Sequence, residues 1–503
     1  LINFSIYMPG RLDIGLMSRP SGDLGQQAVR GVVSLGLREG GMKLVAFAGN
    51  IALFRLLTPA DFGVIVPIAF LAGLVKQFAD LGLQPSLIQR GTEPNSQDLR
   101  AVFTGQLGLV IIGGLLLFLG GPLVVDSILN AAIDPWMTRV FALSIFLSAF
   151  RVVPAALLER HLQFGRLATA DILGSFCYFS LGIGFAIGAA GVWSLVIAHV
   201  GASIISTLAV VVARPWWPIP TMRLKVLRSH VNFGAKFQGS RIALTIKDSL
   251  VPLFAPRAFG ASATGLLSWA NRVSSQPLVM TQLVARVSLP AFSRIQDNPE
   301  QVRRGAELTL KWNAIVTLPA FAALIAFGPE VATLIYGDQW LPAVPALYIL
   351  VLNSVLVPIN GLITPILIAI GKTRVVLTVA VVWAIGAWVL AVGLMTAGVG
   401  FLSVPIALAA SQAAATMVLI PIGRREFELR VVRRMVRPFV AAVLAGVFGR
   451  FVLLPLLTDA VLLVQGCLVV AAVYAGVLYV IDRRALQVEL GALRRRDGMG
   501  ASS

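Results

Sequence analysis

Long apolar runs dominate the chain, and short polar segments carrying most of its charge separate them. A helix needs about 20 mainly apolar residues to cross roughly 30 Å of hydrocarbon. Leu347 to Ile370 and Val375 to Ala397 reach that length without one charged residue. Read this way, the pattern predicts fourteen spans, near 34–54, 62–79, 102–125, 136–157, 167–188, 191–212, 233–255, 261–284, 309–328, 347–370, 375–396, 401–422, 436–456 and 460–481. Pro67, Pro358 and Pro365 fall inside spans, which membrane helices tolerate because their neighbours re-satisfy the freed backbone groups. The expected fold class is an all-α polytopic membrane protein.

Composition strengthens this reading. Of 503 residues, 57% are hydrophobic and 13% charged, whereas soluble globular chains carry about 25% charged residues. One soluble core stops growing at about 250–300 residues, so it could not absorb so much apolar sequence. The net charge of +18 fits basic loops held on the cytoplasmic face. No Arg-rich arm with interleaved aromatics lies outside the spans, so nucleic acid is not an expected partner.

The basic residues alternate between loops. Loops after even-numbered spans hold Arg90 and Arg100, Arg160 and Arg166, then Arg214, Arg223, Lys225 and Arg228. Arg294, Arg303 and Arg304, Lys372 and Arg374, and the Arg424 to Arg434 cluster continue the series. Loops after odd-numbered spans offer Arg55, Arg139 and Arg257. By the positive-inside rule both termini of this multi-pass chain are expected in the cytoplasm. Arg214-Pro-Trp-Trp-Pro218 suits an aromatic anchor at the interface. Leu1 to Arg30 is polar, broken by Pro9, Gly10, Pro20 and Gly22, and has no signal-peptide pattern. The chain starts at Leu1 and Met17 opens a more ordinary beginning, so residues 1–16 are expected to lie outside the native product.

A weak internal repeat organises the spans. Asn50 to Gly63 aligns with Lys247 to Gly260 at an offset of 197 residues, pairing Pro59 with Pro256 and Phe62-Gly63 with Phe259-Gly260. Gly121-Pro122 and Gly328-Pro329 echo each other further on, as do Gly191 and Gly400. Spans one and seven then run in the same direction, which makes a parallel repeat with a central cleft. The expected organisation is a cytoplasmic tail over 1–30, an N-lobe of helices 1–6 over 31–225 and a C-lobe of helices 7–12 over 226–425. Helices 13–14 and a basic cytoplasmic tail follow over 426–503.

Charges inside the spans point to function. An ionisable residue at the helix centre costs roughly 2.5–3.5 kcal/mol on insertion scales. Spans one, seven and eight hold Arg38, Lys43, Lys236, Arg241, Lys247 and Arg272 against Glu39 and Asp248, an excess of +4. At about 1.5 Å per residue, Lys43, Arg241 and Arg272 come to one depth, roughly 12–14 Å from the cytoplasmic boundary. An anionic ligand in a water-filled cleft would supply the missing charge. Lys43, Arg241, Lys247, Arg272 and Arg38 are therefore candidate substrate-binding residues. Asp248 is the candidate site for a coupling ion, H+ or Na+, with an anchoring role toward Arg272 as the alternative. Glu39 and Lys43 are spaced to pair with each other, and Arg38 and Lys236 are near enough to the interface to snorkel. Lys76 with Asp80, and Arg151 with Glu159, read as self-paired span ends.

No enzyme signature is present. His161, His199 and His230 have no acid at a catalytic spacing, and there is no HExxH and no P-loop. Cys177 and Cys467 sit singly in apolar runs, so neither a disulfide framework nor a metal site is expected. No cofactor is expected beyond the coupling ion.

Arg55-Leu-Leu-Thr-Pro-Ala-Asp-Phe-Gly63, Phe78-Ala-Asp-Leu-Gly-Leu83 and Ile88-Gln-Arg90 resemble the bacterial oligosaccharide flippases. These form the polysaccharide transporter branch of the multidrug/oligosaccharidyl-lipid/polysaccharide exporter superfamily. Val153-Pro-Ala-Ala-Leu157, Phe164-Gly-Arg-Leu167, Gly191-Val-Trp-Ser-Leu-Val196, Leu289-Pro-Ala-Phe-Ser-Arg294 and Gly337-Asp-Gln-Trp340 extend the likeness from about Gly31 to Arg425. The pattern is nearest to exopolysaccharide and colanic-acid-type exporters. The resemblance implies two six-helix lobes around a central cavity and an undecaprenyl-diphosphate-linked oligosaccharide as substrate. It makes membrane lipids, and a polysaccharide polymerase with its co-polymerase, the candidate partners. A related flippase of peptidoglycan precursor carries acidic sodium ligands in spans seven and eleven. Here Asp248 stands in span seven, but span eleven has no acid. A drug or cation antiporter of the same fold, and a non-transporting membrane subunit of a glycan synthase, remain the alternatives.

Overall fold

The computed structural model describes residues 45–80, 83–88, 93–129, 133–161, 163–217, 219–221, 245, 248–279, 281 and 299–500, and the regular structure among them is helical. Twelve of the described helices are long and apolar enough to cross a membrane, and a shorter apolar helix, Val45–Leu56, precedes them. We label the helices α1 (Val45–Leu56), α2 (Pro59–Asp80), α3 (Leu83–Ile88), α4 (Ser96–Leu129), α5 (Pro135–Arg160), α6 (Phe164–Ile187) and α7 (Val192–Ala213). The rest are α8 (Ala255–Ser275), α9 (Pro299–Ala326), α10 (Val344–Ala369), α11 (Thr373–Thr396), α12 (Ser403–Phe427), α13 (Val431–Phe448) and α14 (Ala460–Gly500). The long helices coincide with expected spans two to six and eight to fourteen. The chain is an all-helical, multi-pass membrane protein.

Local chemistry sets where these helices begin. At α2 the Thr58 N–H and hydroxyl donate to Asp61 Oδ2 at 2.8 and 2.7 Å, closing a capping box around Pro59. Asn95 and Asp98 repeat the device at α4: Asp98 N donates to Asn95 Oδ1 at 2.8 Å, and Asn95 N donates to Asp98 Oδ2 at 3.2 Å. Asp134 caps α5 through Trp136 N at 3.0 Å, with Pro135 in the first turn, where its missing N–H costs nothing. Asp459 accepts from Val461 and Leu462 at the start of α14.

Several helices outrun the apolar pattern. Helix α4 starts six residues before its expected span because its cap lies there, and α9 starts at Pro299, where Glu300 binds Arg303 and Arg304, each at 2.7 Å. Helix α14 passes its apolar run and bends at Asp482 (φ −121°) before continuing to Gly500.

The contacts divide the described residues into two units. One takes those within Leu1–Leu56, Leu71–Val124 and Ile133–Gln238; the other takes Leu57–Phe70, Val125–Ala132 and Gly239–Ser503. In the first unit, Leu83, Leu87, Val102, Phe103, Val153 and Ala156 form a buried cluster joining α3, α4 and α5. Trp216 of the anchor sequence stacks edge-on against Phe103 at 5.4 Å, while Trp217 is 83% exposed, as an interfacial aromatic would be. His199 stacks on Phe141 with ring centroids 4.1 Å apart, a packed histidine of the structural kind.

The pairing expected of Arg151 is corrected by the structure. Arg151 Nη2 binds Asp171 Oδ1 of α6 at 2.6 Å, and Glu159 instead accepts from Gln84 at 3.1 Å. Eight residues along one helix separate Arg151 from Glu159 by about 12 Å, too far for a pair.

In the second unit the first turns of α2 cross α8 closely. A Cβ at Gly63 would lie 1.7 Å from the Ala261 carbonyl oxygen, and one at Gly265 would lie 1.7 Å from the Pro59 carbonyl oxygen. Only glycine permits backbones to approach so far. The two copies of the Pro-x-x-Phe-Gly repeat therefore meet here. Phe62 packs edge-on against Trp340, which stacks on Trp269 at 5.9 Å; both tryptophans are fully buried. Large apolar side chains such as Val382, Ile385 and Val389 of α11 stay exposed on the outside of the helices, as lipid-facing side chains of a membrane protein do.

Candidate functional site

A cavity of about 540 Å³ opens within the second unit. Its wall is built from one face of α10, on which Asn353, Val357, Asn360, Gly361, Thr364 and Pro365 recur at helical spacing. Ser268 and Asn271, three residues apart on α8, supply a second wall. Trp383 of α11 and Leu408 and Gln412 of α12 close a third, and Val66 of α2 also lines the space. The remaining edge is Asp248 with Leu250, Val251 and Pro252. Leu250–Phe254 forms a π-helical turn, a form that recurs at functional sites.

Four of the polar side chains of this wall, Asn271, Asn353, Asn360 and Gln412, are carboxamides. The single hydrogen of the Thr416 hydroxyl is shared between Asn360 Oδ1 at 3.0 Å and the Gln412 backbone carbonyl at 2.8 Å, so Asn360 turns its oxygen to Thr416 and leaves its NH2 to donate elsewhere. Gln412 is 2% exposed, and its backbone carbonyl accepts from Thr416 at 2.8 Å, which steadies the α12 turn carrying it. Two features of α10 open the wall further. A Cβ at Gly361 would meet nothing within 4 Å. Pro365 has no N–H to offer the Gly361 carbonyl in the helical pattern. Among the described residues lining the cavity, Asp248 is the one ionisable group.

Of the candidate site residues, Asp248 lines this cavity and Arg272 does not, although it follows Asn271 directly. One residue further along a helix turns a side chain by about 100°, so Arg272 leaves the cavity wall while staying beside it. Arg272 is exposed and close enough to Tyr336 for its charge to act on the phenol. Arg38, Lys43, Arg241 and Lys247 lie outside the described residues. Asn271, Asn353, Asn360 and Gln412 escape a search for charge because amides carry none. Their signal in the sequence is spacing: Asn353, Asn360 and Thr364 stand at i, i+7 and i+11 in a run whose other polar side chain is Ser354.

A second polar cluster joins α9, α13 and α14. Lys311 Nζ lies 2.7 Å from Asp482 Oδ2, with both side chains 3% exposed, and Arg437 also binds Asp482. Glu307, one turn before Lys311, accepts from Arg434 Nε at 2.9 Å and from the Arg430 backbone N–H at 3.1 Å. Each charge in this group has an opposite partner, so its chemistry is that of a fastening.

Comparison with known proteins places the chain. A family model described as "Polysaccharide biosynthesis protein" matches residues 52–345. The lipopolysaccharide biosynthesis protein WzxC of Escherichia coli (strain K12) is 25% identical over 338 residues, covering 64% of this chain and 65% of that protein. The teichuronic acid biosynthesis protein TuaB of Bacillus subtilis (strain 168) is 24% identical over 289 residues, covering 55% and 58%. The matched region thus spans about 60% of the length of these curated relatives. Among solved structures, the lipid II flippase MurJ in an inward closed conformation superposes with a TM-score of 0.67 at 15% identity, covering 88% of this chain and 99% of that one. An inward-facing multidrug resistance MATE family transporter gives 0.62 at 17% identity, covering 76% and 94%. Both likenesses are of fold.

Proposed function

The chain belongs to the polysaccharide biosynthesis protein family, and from that premise we propose that it flips an undecaprenyl-diphosphate-linked oligosaccharide across the bacterial inner membrane. The family match over more than half of the chain carries this reading, and the MurJ-like fold supports it. In this reading both termini face the cytoplasm, as the alternation of basic loops requires. Transport proceeds by alternating access, with the substrate's path open to one face at a time, and the glycan serves exopolysaccharide or lipopolysaccharide assembly. A polymerase that extends the glycan on the far side is the partner this chemistry calls for.

The diphosphate is the charged part of such a substrate, and cations at mid-depth are the groups to receive it. Arg272 is the described member of that set. It stands one residue from Asn271, so the anion site and the amide-lined cavity share helix α8. A drug or cation antiporter would want acidic walls, whereas the described residues lining this cavity include one carboxylate among amides. In cells dependent on this chain, Arg272→Ala is expected to abolish polymer export at an unchanged membrane level of protein. Arg272→Lys is expected to retain part of it, because a point charge replaces a fork. Normal export by the alanine variant would remove Arg272 from substrate binding.

A further inference from the structure

We propose that the amide-lined cavity of the second unit is a sugar subsite, which seats a neutral hexose of the substrate next to its diphosphate. This rests on the flippase reading and says which part of the ligand goes where.

The wall chemistry selects the ligand class. A diphosphate needs cations or a cradle of N–H donors, and no described Lys or Arg lines the cavity. A hexose presents the opposite character: hydroxyls that both donate and accept, on a ring with apolar C–H faces. Carboxamides match such hydroxyls because each carries an acceptor oxygen and two donor hydrogens. Asn271, Asn353 and Gln412 bring both functions, and Asn360, whose oxygen is engaged by Thr416, brings its NH2. Thr364 adds a hydroxyl, and the Gly361 carbonyl, which Pro365 cannot engage, adds an acceptor. Trp383 offers a flat apolar surface for the C–H face. The volume of about 540 Å³ lies inside the range of about 300–1,000 Å³ usual for small-molecule sites.

Position within the substrate follows from connectivity. The first sugar of a lipid-linked glycan is bonded directly to the distal phosphate, so its site must adjoin the cation that holds that phosphate. Asn271 and Arg272 are consecutive on α8, one in the cavity wall and one beside it. The subsite therefore reads the diphosphate-proximal sugar.

The test compares affinities of the purified full-length chain for geranylgeranyl diphosphate, bare or carrying glucose, galactose or N-acetylglucosamine, measured by thermophoresis in detergent. At least one sugar is expected to tighten binding by about tenfold, roughly the worth of one or two neutral hydrogen bonds. Asn360→Ala, and separately the near-isosteric Thr364→Val, should pull the ratio of sugar-bearing to bare affinity toward one. Because a ratio is read, a variant that merely loses folded protein lowers both affinities and leaves the ratio unchanged. If bare diphosphate binds and no sugar improves it, or the gain survives both substitutions, the subsite is wrong and the flippase reading stands. If none of the four diphosphates binds, both readings fall.

Discussion

Two groups of polar side chains inside the second unit do different work. The carboxamides face a cavity, where unspent hydrogen-bonding capacity can meet a ligand. The Lys311–Asp482 pair faces only its own partners, with both side chains 3% exposed and 2.7 Å apart. Such a pair contributes little net stability, since desolvating two ions offsets most of their attraction. Breaking it is another matter: one uncompensated buried charge costs about 3–5 kcal/mol. Asp482→Ala should therefore lower the thermal unfolding midpoint of the solubilised chain markedly, and the Lys311→Met/Asp482→Leu double variant should recover much of the loss. A double variant as unstable as the single one would show that charge compensation is not what Asp482 provides. Sequence reading finds charges in spans easily, yet it cannot see that Lys311 meets Asp482, because the two lie on helices far apart along the chain. It undervalues amides for the opposite reason, since hydropathy registers them only weakly.

At the scale of the helix, the apolar pattern is a good guide to which segments span and a poor one to where they stop. Ends are set by caps such as Thr58–Asp61 and Asn95–Asp98, whose polar residues lie beyond the hydropathy window. The long continuation of α14 past Asp482, and the π-helical turn at Leu250–Phe254, are likewise silent in hydropathy. The glycine crossing of α2 and α8 is half legible: the repeat of Pro-x-x-Phe-Gly is in the sequence, but its closeness depends on Gly265, outside the repeat. Orientation belongs to this scale too. Asp338, between α9 and α10, and Arg425, at the end of α12, are both exposed and should lie on opposite faces of the membrane. In intact cells a cysteine at Asp338 is expected to react with an impermeant maleimide, while one at Arg425 should react only after permeabilisation. The reverse pattern would invert the topology.

Taken whole, the molecule places its amide-lined cavity and its ionic fastening in one unit, while the other pairs a half-buried Arg151 with an exposed Asp171. The proposed activity at this scale is the passage of a lipid-linked sugar from one leaflet to the other through this chain. The most direct measurement uses unilamellar vesicles that contain the full chain and geranylgeranyl diphosphate N-acetylglucosamine. An impermeant galactosyltransferase with UDP-galactose is added outside, so that only sugar reaching the outer leaflet is extended. With the protein present, galactosylation is expected to run nearly to completion, while protein-free vesicles stop at the share initially exposed. Plateaus of equal height in the two preparations would contradict the account.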